Sequence, residues 1–428
     1  MPTGPSSRQG DASYGWVVVA VSVAMGAVAW GIPNSFGVFF KPIQADFQGS
    51  RALLSGAISL YVFVHGAVAV LWGWCTDRYG IRLVISAGGF FMVLGALLTS
   101  GIQELWQLYV TYGVTFAVGA GAMYVPLMSN ASGWFEKRRG LALGMVAAGA
   151  GVGTIFFPST VDYLIWAYGW RTAFVVMAVV CAVVIGAGIP FLRPGPRRES
   201  SSPRAQGPAP DQPEAAQMRL GQALRRRPFW VVFVMYFFAF ICLHMVYVHL
   251  VPRATDAGVP SSTAAILVSL VGGFSIVGKL AGGSAADRIG PRRAFLVVMS
   301  LQVLGFLWLL VSRETWMFVL FAIAFGFAYG GWMPLIPALA VEHFGARHLG
   351  TVFGALTLAA AMGGTVGPAL AGYVFDVTAS YSTAFVAAAA ASLLALGLAA
   401  GALPEGFGLS ARPPASGTKR PHGPGAPL

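Results

Sequence analysis

The chain is expected to be an all-α polytopic membrane protein, with twelve transmembrane helices in two six-helix bundles. Three observations carry this. Hydrophobic residues make up 57% of the 428 positions and charged residues only 10%, where a soluble domain holds about 25% charged residues. The apolar residues come in blocks of about 20, the length at which a helix crosses a bilayer. The second half of the chain repeats the first at a nearly constant offset.

The elements follow in order. The opening MPTGPSSRQGDASYG is polar and lacks the apolar core of a cleavable leader, so the first span is expected to serve as the signal. Six spans are predicted over Trp16–Phe40, Ala52–Cys75, Leu83–Ile102, Leu105–Met128, Gly140–Ile165 and Thr172–Leu192. Residues 1–192 thus form an N-terminal bundle with its tail. Residues 193–228 are a linker rich in Pro, Arg, Ser and Gln, expected to be disordered apart from a short basic amphipathic helix near Met218–Arg227. Residues 229–403 form the C-terminal bundle, with spans over Phe229–Val251, Ser262–Ala286, Ala294–Ser312, Trp316–Val341, Gly350–Phe375 and Thr383–Leu403. Residues 404–428 are a second disordered tail.

The formal charge is +12, and its placement decides its meaning. Arg78 and Arg82, Lys137 to Arg139, the linker arginines, then Arg288, Arg292, Arg293 and Arg347 mark every second loop. The intervening loops hold only Lys41, Arg51, Arg171, Arg253 and Arg313. That alternation follows the positive-inside rule. It puts both termini and the linker in the cytoplasm and gives no basic domain for nucleic acid. Cys75, Cys181 and Cys242 are scattered without metal-ligand spacing. No metal, cofactor, embedded nucleophile–base pair or signalling domain is indicated, which argues against a membrane enzyme and a sensor.

The repeat is explicit. GWCTDRYGIR (Gly73–Arg82) matches GSAADRIGPR (Gly283–Arg292) at Gly, Asp, Arg, Gly and Arg. GLALG at Gly140 matches GTVFG at Gly350, and Pro158 matches Pro368. Two six-helix halves in parallel repeat, joined by a basic linker, resemble the major facilitator superfamily, whose signature is the G-x-x-x-D-R-x-G-x-R loop. The resemblance implies that Asp77, Arg78 and Arg82, with Asp287, Arg288 and Arg292, gate the cytoplasmic side. Glycine-rich stretches in spans five and eleven fit close helix packing.

A narrower resemblance sits at the start. Tyr14, Gly15, Trp16, Val17 and Val18, then Ser35, Val38, Phe39 and Phe40, are similar to the opening elements of the monocarboxylate transporter family, as is the tyrosine of GAMYVP (Tyr124). The family carries an arginine in its eighth span, four residues after an aspartate, implicated in carboxylate binding. Here Lys279 and Ser275 stand at those positions. The cation is kept, but the bidentate fork and the acidic partner are lost. The family's first-span lysine corresponds to Asn34.

Lys279 is the one charged residue of Ala264–Ala286, and every acidic residue lies in a loop, a tail or near a span end. A lysine at a bilayer centre costs roughly 2.5–3.5 kcal/mol. Snorkelling to the cytoplasmic end would have to cover about 12 Å of helix, against a reach of roughly 6 Å. The alternative is a cation awaiting an anionic substrate in a central cavity. Trp30 and Asn34 on the first span, Tyr124 on the fourth, His244 and Tyr247 on the seventh, and Tyr329 and Trp332 on the tenth could line it. Each aromatic alone fits packing or an interfacial belt better than a cavity role, and it is their grouping around a cation that favours the cavity; His65 fits packing. His249 and Asp256, near the external end of span seven, fit either a proton-responsive pair or a solvated helix end.

The resemblance implies a plasma-membrane secondary transporter, working as a monomer, for lactate- or pyruvate-like anions. It would be coupled to protons by symport, with Lys279, His249 and Asp256 as coupling candidates. The alternative is an oxalate–formate type of anion antiporter.

Overall fold

A computed structural model describes residues 5–135, 139–193, 220–344 and 349–403, and every regular element in it is helical. The elements are α1 (Pro5–Asn34), α2 (Phe36–Phe47), α3 (Arg51–Tyr79), α4 (Ile81–Ser100), α5 (Leu105–Leu108), α6 (Ala117–Gly121), α7 (Tyr124–Ser132) and α8 (Arg139–Gly188). Then come α9 (Leu220–Ala223), α10 (Arg227–Asp256), α11 (Ser261–Ile289), α12 (Pro291–Val311), α13 (Thr315–Trp332), α14 (Leu335–Phe344), α15 (Leu349–Thr378) and α16 (Ser382–Gly401).

Eleven stretches are long and apolar enough to cross a membrane. The 50-residue α8 is two spans, because Gly169 breaks it at φ 81°, ψ 160°. Twelve crossing segments result. The predicted spans are recovered with local breaks. Span one divides at Ser35 into α1 and α2. Span four passes through α5, a π-helical stretch (Tyr109–Phe116), α6 and α7. Span ten divides into α13 and α14 just before Leu335, next to Pro334, which has no N–H to continue the ladder. Of the amphipathic helix expected near Met218–Arg227, Met218 and Arg219 lie outside the described residues, Leu220–Ala223 form α9, and α10 begins at Arg227. The rest of the linker and the tail after Leu403 lie outside the described residues, as do Lys137, Arg138 and Arg347.

The sequence repeat is a structural repeat. Gly80 and Gly290 join α3 to α4 and α11 to α12 at φ 85° and φ 84°, a left-handed turn that glycine enters without Cβ strain. The turn at Gly169 has its counterpart at Ala379, which takes φ 51° despite its side chain.

Within the halves α1 packs on α8, α10 on α15 and α11 on α13. Between them α3 meets α15, and α8 meets α11. The α11–α13 seam is backbone against backbone: a Cβ on Gly330 would meet the Ser275 carbonyl, and one on Gly278 the Phe327 carbonyl. Small residues permit this approach, which supplies van der Waals contact where lipid offers no hydrophobic drive. One end of the molecule carries Arg78, Arg82, Arg288, Arg292 and Arg225–Arg227, and is here termed the basic face.

Candidate functional site

The site lies between the halves. On α11, Ser275 is buried and its Oγ donates to the Gly272 carbonyl at 2.7 Å. The α13 backbone runs close to this turn, where a Cβ on Gly330 would meet the Ser275 carbonyl. One turn on, Lys279 is half-buried. No carboxylate among the described residues lies within ion-pair distance of it. Its Nζ stands 5.8 Å from the centre of the Tyr329 ring, within cation–π range.

Tyr329 meets Tyr247 edge-on at 6.1 Å. Thr154 Oγ1 accepts from Asn34 Nδ2 at 2.9 Å and donates to the Ala150 carbonyl at 2.8 Å. Asn34 and Thr154 of the first half and Tyr247 and Tyr329 of the second are the polar groups on this side of the site. On the opposite wall Trp30 packs edge-on against His65 at 5.0 Å and against Tyr124 at 5.9 Å. Tyr124 is 39% exposed, which for a residue between the bundles means open to the central space. Its ring lies close enough to Tyr236 and Tyr329 for their hydroxyls to interact electrostatically. His244 Nδ1 lies 3.3 Å from the Phe240 carbonyl, and the imidazole packs beside Gly364.

One sequence-based expectation changes. Trp332 is fully buried in the C-terminal bundle, and its Nε1–H donates to Gln302 Oε1 at 2.9 Å. Gln302 Nε2 continues to Ser392 Oγ at 3.1 Å. Trp332 is a core residue, with its donor spent. Arg82 and Arg292 each make hydrogen bonds within their own half. Arg82 donates to the carbonyls of Leu192 (2.8 Å) and Pro190 (2.9 Å), and Arg292 to those of Ala399 (2.9 Å) and Ala400. Each ties the start of the third helix of its half to the end of the sixth, where helix carbonyls lack partners. Arg78 is exposed beside Trp74 and Tyr79, and Asp287 and Arg288 are exposed. Asp77 lies outside the residues whose side chains are described.

Sequence reasoning missed Thr154, Tyr236 and, above all, a charged cluster at the face opposite the basic one. Arg51 donates to Asp256 from Nη1 (2.7 Å) and Nη2 (3.2 Å), and Lys41 reaches the same carboxylate at 2.7 Å. The N–H groups of Arg51 and Ala52 donate to Asp376 at 2.9 and 2.7 Å. The Arg51 guanidinium lies over the Phe375 ring at 3.6 Å. Lys41 and Arg51 belong to the first half, Asp256 and Asp376 to the second. Asp376 therefore caps the N-terminus of a helix in the other bundle, where a negative charge is favoured. His249 does not pair with Asp256. It reaches the cluster through the Tyr381 hydroxyl. The only signal for these contacts was that each residue is charged or polar near a span end.

Two six-helix halves, related by repeat and meeting along α3–α15 and α8–α11, are the architecture of a membrane transporter. The Major Facilitator Superfamily profile matches residues 18–280 and 250–425, and the chain belongs to that superfamily of multi-pass membrane transporters, not to an enzyme class. The bacterial homolog of the human lysosomal transporter Spinster, solved inward-facing and unoccupied, shares the fold at a TM-score of 0.73 and 17% identity, over 90% of this chain and 96% of that one. Within the superfamily the chain is a member of the monocarboxylate transporter family. It is 30% identical to monocarboxylate transporter 3 of Rattus norvegicus over 394 residues, covering 90% of this chain and 79% of that protein. It is 28% identical to monocarboxylate transporter 13 of the same organism, over 91% and 89% of the two chains. The MFS transporter asaE of Aspergillus flavus is 28% identical over 84% and 80%.

Proposed function

We propose that this protein carries small monocarboxylates of the lactate or pyruvate kind by alternating access, in symport with a proton. The observation that carries the reading is Lys279, an ammonium facing the space between the halves with no carboxylate partner among the described residues. A bound carboxylate would supply the missing charge. Tyr329 and Tyr124 would donate to its oxygens, Trp30 and Tyr247 would wall its apolar end, and Asn34 would act through Thr154. His244 borders the same space.

Charge balance argues for the coupling. Closing a cavity around an unpaired cation costs the desolvation of that cation, and a bound anion offsets it. For net transport the empty carrier must return with Lys279 as the neutral amine or with a counter-anion. The first route moves one proton with each acid. The second gives exchange, the antiporter alternative. By the positive-inside rule the basic face is cytoplasmic. On that reading both termini lie inside and the Lys41–Arg51–Asp256–Asp376 cluster outside, and we propose that the protein works as a monomer in the plasma membrane.

The test is uptake of labelled lactate by proteoliposomes under an inward proton gradient. Accumulation that collapses with a protonophore, and is lost in Lys279→Ala but partly kept in Lys279→Arg, is the expected result. Normal uptake by Lys279→Ala refutes the site. Uptake only against an internal organic anion replaces symport by exchange.

A further inference from the structure

The charged cluster opposite the basic face contains a histidine that the Lys279 route of coupling does not use. His249 of α10 is fully buried. Its Nε2 lies 3.0 Å from the Pro368 carbonyl and 3.2 Å from Ser55 Oγ, and its Nδ1 lies 3.0 Å from the Tyr381 hydroxyl. The hydrogen positions follow from the partners. A carbonyl only accepts, so Nε2 carries the hydrogen. A neutral imidazole then has Nδ1 as an acceptor. Tyr381 must donate to it, and the same hydroxyl oxygen accepts from Arg51 Nη1 at 2.7 Å. Burial raises the Tyr381 phenol above its ordinary range, so its hydrogen is retained. The wire runs in one direction: Arg51 to Tyr381 to His249 to Pro368.

The charges around His249 come from each packed element. From α3 comes Arg51, from α15 Asp376, and from the turn before α16 Tyr381. On its own helix Asp256 lies farther along and is held by Arg51 and Lys41. Arg253 donates to the Ser312 carbonyl at 3.0 Å and lies near enough to Asp256 and Tyr381 to interact with them. From α2 come Lys41 and the Phe40 ring, 5.5 Å from the imidazole. Arg51 and Lys41 are balanced by Asp256 and Asp376, and Arg253 adds a further positive charge, so no anion is left over for a charged imidazole.

We infer that His249 is a proton-binding site of the transport cycle that must be empty for the two halves to close at this face. A proton on Nδ1 makes the imidazole a donor at both nitrogens. Tyr381 oxygen would then face Nδ1–H and Arg51 Nη1–H together, and its own hydrogen would lose its acceptor. The buried imidazole would also carry a positive charge beside the buried Arg51 guanidinium, which is costly away from water. Opening this face hydrates the imidazole and removes both penalties. The proton is exchanged with water of the open vestibule, and no bond other than N–H is made or broken. By linkage, acid favours the state open at this face, and closing expels the proton. The inference rests on the carrier reading but not on the substrate or on Lys279.

The test is double electron–electron resonance without substrate, in nanodiscs. Spin labels go on Gln103→Cys and Glu314→Cys, exposed positions on opposite halves near the cluster, with Cys75, Cys181 and Cys242 replaced by alanine. Between about pH 8 and about pH 5.5, the wild-type background should shift from the short to the long distance. The population ratio should change by up to about tenfold per pH unit, the limit for one linked proton. His249→Gln can donate to Pro368 and accept from Tyr381 but cannot be protonated, so it should stay short at both pH values. Tyr381→Phe should lower the closed population and flatten the response. A wild type without a shift, or a His249→Gln with the full shift, overturns the inference. If His249→Gln is not monodisperse, Tyr381→Phe decides: a flat response supports the wire, and an unchanged response refutes it. Loss of lactate uptake with the pH shift intact would instead count against the substrate reading.

Discussion

Removal of the Asp256 carboxylate is the sharpest test of how the halves are held together. The side chain accepts two hydrogen bonds from Arg51 and one from Lys41, all across the interface. The Arg51 side chain is only 9% exposed, whereas Lys41 is 38% exposed. Water screens the lysine pair, so it contributes less than about 1 kcal/mol. The buried guanidinium is different. Breaking a buried pair from one side costs about 3–5 kcal/mol, because the remaining charge is left uncompensated. Asp256 is itself 27% exposed, and Tyr381 and Phe375 still hold Arg51, so about 2–3 kcal/mol is expected here. A state opened at this face would separate Lys41 and Arg51 from Asp256 and so would lose nothing. Asp256→Ala should therefore lower the closed-to-open ratio by about 30- to 150-fold at neutral pH. The same label pair on Gln103→Cys and Glu314→Cys reads this ratio directly. Lys41→Met should change it by less than about fivefold. An unchanged distance distribution in Asp256→Ala, or a larger effect for Lys41→Met, would refute the view that the buried bidentate pair closes this face.

Two further outcomes concern stability. Arg82→Ala and Arg292→Ala should each lower the midpoint of SDS-induced unfolding, by about 1.5–3 kcal/mol for the loss of charge-assisted bonds to helix-end carbonyls. Because these bonds lie within each half, the distance distribution across the opposite face should stay as in wild type. Gln302→Leu strands the buried Trp332 N–H and should cost about 1–3 kcal/mol by the same unfolding assay, with lactate affinity unchanged. A selective loss of affinity would return Trp332 to the cavity.

Much of the architecture follows from local chemistry. Apolar blocks of bilayer length must be helices, since lipid satisfies no backbone group, and two copies of one loop pattern imply two copies of one bundle. The cost of a charge in hydrocarbon is a property of the residue, so Lys279 stood out without any partner being known. The site's contacts were less legible. Trp332 and Tyr329 lie one turn apart on α13, yet one belongs to the bundle core and the other faces the interface. That choice depends on a rotation of the helix, set by glycine contacts with α11 and by Gln302 on another helix. Arg82 and Arg292 also bind helix-end carbonyls, a contact the motif alone did not show, because their partners come from a distant part of the chain. Arg51, Asp256, Asp376 and Tyr381 are brought together from four separate span ends. Their sequence separations carry no periodicity, so no local pattern could announce them. What the sequence by itself determined was which segments enter the membrane, how they repeat and where a lone cation had to be. Only the tertiary structure decided which polar groups meet across the two halves, because those contacts are selected by the packing of whole helices and not by the residues beside them.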